Sequence, residues 1–331
     1  MDANAANRLL DHYERSARDL PWRSPPGSTP PEPYRVWLSE VMLQQTTVAT
    51  VTPRFVRFVE RWPTVEALAA APDEEILAEW AGLGYYARAR NLIACARAVA
   101  ERGGFPRKEV ELRNLPGLGA YTAAAVAAIA FGEDAVPLDT NVMRVVARLF
   151  GLTDRNEVPA AARAWWPSGR AGDFAQALMD LGATICRPKA PACSACPLQQ
   201  DCTAARLGTP ESFPARTAKR ERPHRFGIAW WCRRDNAVWL TRRPATGLLG
   251  GMAALPGPDW TQERPTINPL AIARHGFTHF TLDLLVVPAS DAVGDGWWQE
   301  LDRLNEAGLP TLYRRAVDAA LAAEREPRLA A

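Results

Sequence analysis

The chain has 331 residues, of which 47% are hydrophobic and 23% charged, and its 39 Lys and Arg against 37 Asp and Glu leave a net charge of +2. The length suggests two domains and the composition an ordinary globular protein. No run of about twenty apolar residues is present, which excludes a membrane-spanning helix, and the near-neutral balance gives a polyanion-binding role no support, so any such contact must come from local features. The first 19 residues are charged throughout and lack the apolar stretch of a signal peptide. A cytoplasmic protein is expected.

Taken in chain order, apolar residues recur at helical spacing through residues 5–17, 34–46, 48–62, 73–80, 86–100, 121–131, 140–150 and 174–185. Breakers separate them: the Pro-rich run 21–33, Pro63, Pro72, the Gly82–Gly84 segment, residues 103–106 and 116–119, and Pro137. After a polar, basic stretch the pattern changes. Residues 226–232 and 237–241 read as strands around a turn at 234–236, residues 280–287 as a third strand, and residues 313–323 as a closing helix. The expected organisation is a mostly α N-terminal domain over 1–206, a linker at 207–224 and a small α+β C-terminal domain over 225–331. No internal repeat is visible. Arginines cluster at Arg88, Arg90 and Arg97, and basic residues again at Arg216, Lys219, Arg220 and Arg222. Charge alone reads these as a solvated helix face and a linker.

Four of the six cysteines fall in one Pro-rich window, Cys186, Cys193, Cys196 and Cys202, spaced C-x6-C-x2-C-x5-C over residues 186–202. Four thiolates this close suit one metal centre, zinc or an iron–sulfur cluster. Two disulfides are disfavoured without a secretion signal, and only Cys193 and Cys196 form the C-x2-C knuckle that zinc ribbons use twice. Cys95 and Cys232 sit alone in apolar patterns and read as core residues.

Leu115-Pro-Gly-Leu-Gly119 lies between two predicted helices. Glycines at Gly117 and Gly119 permit a tight turn and a close approach of another molecule. The free N–H groups of the helix that follows make an anion site without basic side chains. Asp139, just ahead of the next helix, reads as an N-cap, and the bonds it accepts favour its ionised form. A fixed anion there also suits a sugar oxocarbenium ion. The segment 34–46 is apolar on nearly every face and so should be buried. Glu40 is its only acid. Either it pairs with Arg35 or another base, or it is poorly solvated, with a raised pKa and the ability to act as a general acid. Glu40 and Asp139 together follow the two-carboxylate logic of glycosidic cleavage.

The motifs Leu20-Pro-Trp-Arg23, Trp37-Leu-Ser-Glu-Val-Met-Leu-Gln-Gln-Thr46, Gly82-Leu-Gly-Tyr-Tyr-Ala-Arg-Ala-Arg-Asn91, the LPGLG hairpin, the Asp139 loop and the cysteine loop together resemble the MutY family of adenine DNA glycosylases in the helix-hairpin-helix, endonuclease III superfamily. The resemblance runs along nearly the whole chain. It implies a helix-hairpin-helix glycosylase domain with a 4Fe–4S cluster loop and a small Nudix-like lesion-recognition domain. It implies excision of adenine mispaired with 8-oxoguanine or guanine in duplex DNA, by a monomer associated with the nucleoid.

On that resemblance Glu40 protonates the adenine and later helps to activate water, Asp139 stabilises the cationic sugar, and Tyr121 and Asn141 support them. Trp22, Arg23 and Gln176 fall near the adenine pocket, reached by a nucleotide flipped out of the stack. Tyr85 matches the aromatic wedge beside the damaged guanine, and Gln44, Gln45 and Thr46 the segment filling the gap. Leu83, Leu115, Gly117 and Gly119 fall among the DNA-binding positions, and Thr278 and His279 at the lesion-reading loop. The four cysteines would hold the cluster. No stretch resembles the Glu-rich Nudix box, so pyrophosphohydrolase activity is not expected. Two departures stand out: Asp139-Thr140-Asn141 where the family often has Asp-Gly-Asn, and Phe277-Thr278-His279 where it has Phe-Ser-His. The alternatives are a bifunctional glycosylase/lyase like endonuclease III, whose lysine nucleophile would stand where this chain has Tyr121, and a catalytically silent DNA-binding module.

Overall fold

The computed structural model describes residues 3–215, 221–244 and 247–325; Arg216, Lys219 and Arg220 of the basic cluster lie outside them. In chain order its helices begin with α1 (Ala3–Ser16), α2 (Pro33–Leu43), α3 (Val48–Arg61) and α4 (Val65–Ala70). They continue with α5 (Asp73–Trp80), α6 (Tyr86–Glu101), α7 (Glu109–Leu112), α8 (Ala120–Phe131) and α9 (Thr140–Phe150). Next come α10 (Val158–Trp165), α11 (Ala171–Thr184) and α12 (Thr203–Arg206). The strands are β1 (His224–Trp231), β2 (Arg233–Arg234), β3 (Ala237–Arg242), β4 (Ala253–Ala254), β5 (Ala271–Gly276), β6 (Thr281–Pro288) and β7 (Gly296–Glu300), and α13 (Thr311–Arg325) closes the fold. Among the described residues no helix is long and apolar enough to cross a membrane.

The described residues form two compact units, one within Met1–Ala70 and Asn91–Ala218, the other within Ala71–Arg90 and Lys219–Ala331. Residues 71–90, read from the sequence as part of the helical domain, group with the sheet-bearing unit. There the Arg90 guanidinium donates to Gly250 O, and Tyr85 Oη lies 3.4 Å from Thr278 Oγ1. Helical periodicity reports that a segment is amphipathic, not which partner it meets.

In the first unit α8 is apolar on every face and buried from Thr122 to Ile129, as a central helix must be. Helix α11 packs against α1, α8 and α9, and α2 packs against α8. Leu9 and Tyr13 of α1, Val142, Val146 and Leu149 of α9, Trp165 of α10 and Phe174 and Leu178 of α11 fill one core. Full burial of an aliphatic or Phe side chain is worth about 1.5–3 kcal/mol, so this core holds in place the helix ends that carry the polar groups described below.

In the second unit β1 runs parallel to β6, and β6 antiparallel to β5, with Leu285 opposite both Ile228 and Ile272. A second sheet centres on β3, with β7 along one edge and the short β2 and β4 on the other. The expected hairpin is therefore shorter than residues 226–241 suggested. Only β2 and β3 pair across the turn, while β1 leaves to pair with a strand more than fifty residues away. Helix α13 packs on β5 and β6.

Candidate active site

Glu40 lies in the middle of α2, only 7% exposed, among Val36, Trp37, Leu38, Ser39, Val41 and Met42, all buried. Its hydrogen bond comes from Tyr121 on the first turn of α8, whose hydroxyl donates to Oε2 at 2.6 Å. Burial pushes the Glu40 carboxyl up to about 7; the Tyr121 bond opposes that rise, the nearby Asp139 charge adds to it, and Arg23 opposes it. The sequence left open a pairing with Arg35, but that guanidinium donates to Pro21 O instead. Tyr121 is raised well above its ordinary value by burial and by the Glu40 and Asp139 carboxylates, so it stays a neutral donor. A carboxyl titrating near neutrality can hold a proton ready for a leaving group.

Asp139 caps α9 as expected, accepting from Val142 N at 2.6 Å through Oδ1. Its other oxygen accepts from Asn141 Nδ2 at 2.8 Å. The chain of bonds continues: Arg144 Nη2 donates to Asn141 Oδ1 at 2.8 Å and to Gly182 O at 2.7 Å, and Nε donates to Cys186 O at 2.8 Å. Gly182 is required here, because a Cβ on α11 at that position would stand 2.6 Å from Asn141 Cβ. The Asp139 carboxylate is thus held at both oxygens, and Arg144 in turn fixes the Asn141 side chain. Arg144 is absent from the sequence-based site; nothing in its helical spacing distinguishes it from a surface arginine.

One cavity of about 690 Å³ is lined by Glu40, Tyr121, Asp139, Asn141, Trp22 and Gln176, together with Arg18, Arg23 and residues 44–48. That volume is typical of a small-molecule pocket. Trp22 is 5% exposed and packs edge-on to Phe55 at 5.3 Å. Gln176 projects from α11, 6% exposed. Asp180, one turn further along α11 and missed by the sequence reading, takes bonds from Arg18 and Arg23.

Residues 44–46, expected within a helix, instead leave it. Helix α2 stops at Leu43, Gln44 Nε2 donates to Thr122 Oγ1 at 3.2 Å, and Gln45 turns outward, exposed, at φ +56°. A left-handed non-glycine residue stores strain of order 1–3 kcal/mol and marks a segment held by its surroundings.

The hairpin forms as read. Gly117 sits at φ +73°, and a Cβ there would lie 2.5 Å from Asn91 Cβ, so a side chain is excluded twice over. Gly119 caps α8 in open space with no side-chain cap, which leaves the first-turn N–H groups without a capping side chain. Leu115, 7% exposed, packs its side chain into the hairpin.

The four cysteines are free and half-buried: Cys186 just beyond α11, Cys193 opening a 3₁₀ turn, Cys196 closing it, and Cys202 capping α12. Together they line one pocket with Arg148 and Ile185. Arg148, 2% exposed, donates to Arg187 O at 2.7 Å, to Pro188 O at 3.2 Å and to Cys186 Sγ at 3.3 Å. Among the described residues no three His, Cys, Asp or Glu side chains surround the point a single metal ion would occupy. Four thiols lining one pocket beside the buried Arg148 guanidinium form a donor set that a zinc ion or an iron–sulfur cluster can use. Cys95 and Cys232 are buried, as expected of core residues.

In the second unit Tyr85 is 47% exposed at φ +50°, with the Arg88 guanidinium 5.5 Å from its ring centre. Thr278 and His279 stand exposed at the tip of a turn closed by Phe277 N donating to Phe280 O at 2.8 Å. Phe277 and Phe280 anchor that turn by stacking at 4.6 Å, with Trp260 against both. Leu83, expected at a DNA surface, is 4% exposed and buttresses the loop from inside.

Residues 38–168 match the HhH-GPD superfamily of base excision DNA repair proteins, and residues 228–319 match the NUDIX domain. The chain is 36% identical to an adenine DNA glycosylase of Arabidopsis thaliana over 75% of its own length, spanning 46% of that plant protein. It is 30% identical to an adenine DNA glycosylase of Buchnera aphidicola subsp. Schizaphis graminum, over 94% of this chain and 96% of that one. The structure of a thermostable thymine-DNA glycosylase superposes with a TM-score of 0.54 at 31% identity, over 61% of this chain and 95% of the other. With a relative matched almost end to end and both domains accounted for, the chain belongs to the adenine DNA glycosylase family.

Proposed function

We propose that this protein is a monofunctional adenine-specific DNA N-glycosylase that excises adenine mispaired with 8-oxoguanine or guanine in base excision repair. The observation that carries the proposal is the buried Glu40, pushed up to about 7 and bonded by Tyr121, in the same cavity as the capped Asp139. The target nucleotide leaves the base stack and enters the cavity past Trp22. Glu40 gives its proton to the adenine ring, which makes the base a neutral leaving group as the N-glycosidic bond breaks. The sugar becomes oxocarbenium-like, and Asp139, its two oxygens already held by Val142 N and Asn141, supplies the opposing charge without reorganising. Glu40, now a carboxylate, takes a proton from the water that adds to the sugar.

No amine stands at the hairpin position where lyases of the superfamily carry their lysine, because Tyr121 occupies it. The product is therefore an intact abasic strand. Tyr85 and the Thr278–His279 turn, both of the second unit, supply contacts to the opposite base. The protein acts on DNA as a monomer in the cytoplasm, at the nucleoid. Cys186, Cys193, Cys196 and Cys202 hold a 4Fe–4S cluster, which when bound ties the loop 186–202 together.

Duplex carrying adenine opposite 8-oxoguanine tests the reading. Incubation should release adenine and leave strands that break only after alkali or heat. Nicking without alkali, with borohydride trapping of a covalent complex, would move the protein to the lyase class.

A further inference from the structure

Arg18 and Arg23 of the cavity lining belong to a charge cluster that the chemistry above does not use. Asp180, on α11 and 7% exposed, accepts three bonds: Arg18 Nε at 2.6 Å, Arg18 N at 3.1 Å and Arg23 Nη1 at 2.8 Å. The Arg23 side chain is 8% exposed and lines the same cavity as Glu40. A buried guanidinium in reach of a carboxyl ordinarily ends in an ion pair with it. Here the guanidinium is turned to Asp180, and Glu40 keeps Tyr121 as its hydrogen-bond partner.

We propose that Asp180 is a positioning residue that holds Arg23 away from Glu40, so that the cavity presents Glu40 as a proton donor and not as one half of an ion pair. The inference rests on the glycosylase reading above for its effect on turnover, but not for its effect on Glu40. The titratable and charged groups acting on Glu40 are Tyr121 from α8, Asp139 ahead of α9 and Arg23 ahead of α2. Of these Arg23 is the only cation. Tyr13 of α1 lies near both Arg23 and Asp180, and burial pushes it up to about 12, so it brings no charge of its own. Asp180 has one further consequence: its backbone carbonyl takes the Thr184 hydroxyl at 2.8 Å, which keeps the α11 turn carrying it in register.

The test replaces Asp180 with Asn, which keeps its shape and removes its charge. An unpaired cation a few ångströms from a carboxyl lowers its pKa by about one to three. In single-turnover excision followed from about pH 5.5 to about pH 9, the Asp180→Asn decline should therefore begin at least about one pH unit lower than in the wild type, with about a tenfold loss near pH 7.5 that acidification recovers. Asp180→Glu restores the carboxylate and should move the midpoint back. Arg23→Met, alone or with Asp180→Asn, removes the cation and should leave the midpoint no lower than in the wild type. A loss of the same factor at every pH, or an unchanged midpoint, would overturn the proposal and leave Asp180 a packing residue.

A readout that needs no turnover accompanies it. With glutamate carboxyls labelled by carbon-13, the resonance missing in Glu40→Gln is followed by NMR titration in wild type, Asp180→Asn and Arg23→Met. A lowered midpoint in Asp180→Asn is expected, and an unchanged one overturns the clamp. If the midpoint falls but the wild type releases no adenine, the clamp stands and the substrate reading fails. If Asp180→Asn does not fold, Arg23→Met decides: its Glu40 midpoint should be no lower than the wild type's, and a lower one overturns the proposal.

Discussion

The cavity around Glu40 and the turn at residues 277–280 handle polar groups in opposite ways. In the cavity every working group is held by another before any ligand arrives: Glu40 by Tyr121, Asp139 by Val142 N and Asn141, Arg23 by Asp180. At the turn the aromatic rings of Phe277 and Phe280 are fixed, but Thr278 and His279 stand exposed. The first arrangement suits a reaction, where charge must meet groups already in place. The second suits reading a surface, where each contact adds a modest, separate contribution. Substitutions in the cavity should therefore abolish turnover, while those at the turn should change preference between substrates.

The largest effect expected is at Glu40. Glu40→Gln keeps the shape and removes the proton, so single-turnover excision should fall by about 10²–10⁴-fold while duplex binding persists. Excision near the wild-type rate would break the comparison at its root. Asp139→Asn should follow, with a loss of about 10²–10³-fold. Because Asn caps helices about as well as Asp, its melting temperature should stay near the wild type's, which separates a chemical role from a structural one.

The pH dependence comes next in size. Glu40 is pushed up to about 7 by burial, and it acts in its protonated form. Excision should thus be sustained below neutrality and decline as pH rises through about 7. A rate that increases above pH 7 would identify Glu40 as a base in the limiting step.

For the cysteine loop, purified protein should be brown and contain about four irons. Cys193→Ser should lower thermal stability and DNA binding before it lowers the rate on bound substrate, since the loop lies beyond Arg144 and not in the cavity. Colourless protein with one stoichiometric zinc would refute the cluster. The smallest effect is expected at the turn. His279→Ala should cost about 0.5–3 kcal/mol on adenine opposite 8-oxoguanine and less opposite guanine. An unchanged ratio between the two substrates would reassign the turn to packing. Point substitution is the cleaner probe there, because truncation after Arg222 would also strip residues 71–90 of Thr278 and Gly250, their partners in the same unit.

The amino-acid sequence by itself marked the candidate site residues and the local turns that present them. Glu40 stood out as the only acid in an apolar helix, Asp139 as a cap, Gly117 and Gly119 as a tight turn, and the cysteines as one spaced set. Each is a short-range signal, set by periodicity, capping or steric limits within a few residues. What only the tertiary structure decided was how those residues are held. The bond from Tyr121 spans 81 positions, Asp180 reaches back 157 positions to Arg23, and β1 pairs in parallel with β6. The departure of Gln44 and Gln45 from α2, and the grouping of residues 71–90 with the sheets, likewise depend on distant partners. Arg144 and Asp180 show the reason most plainly: on their own helices they are ordinary charged residues. Their roles come from the low-dielectric interior in which folding leaves them, where an unpaired charge is costly and the choice of partner sets the pKa of its neighbours.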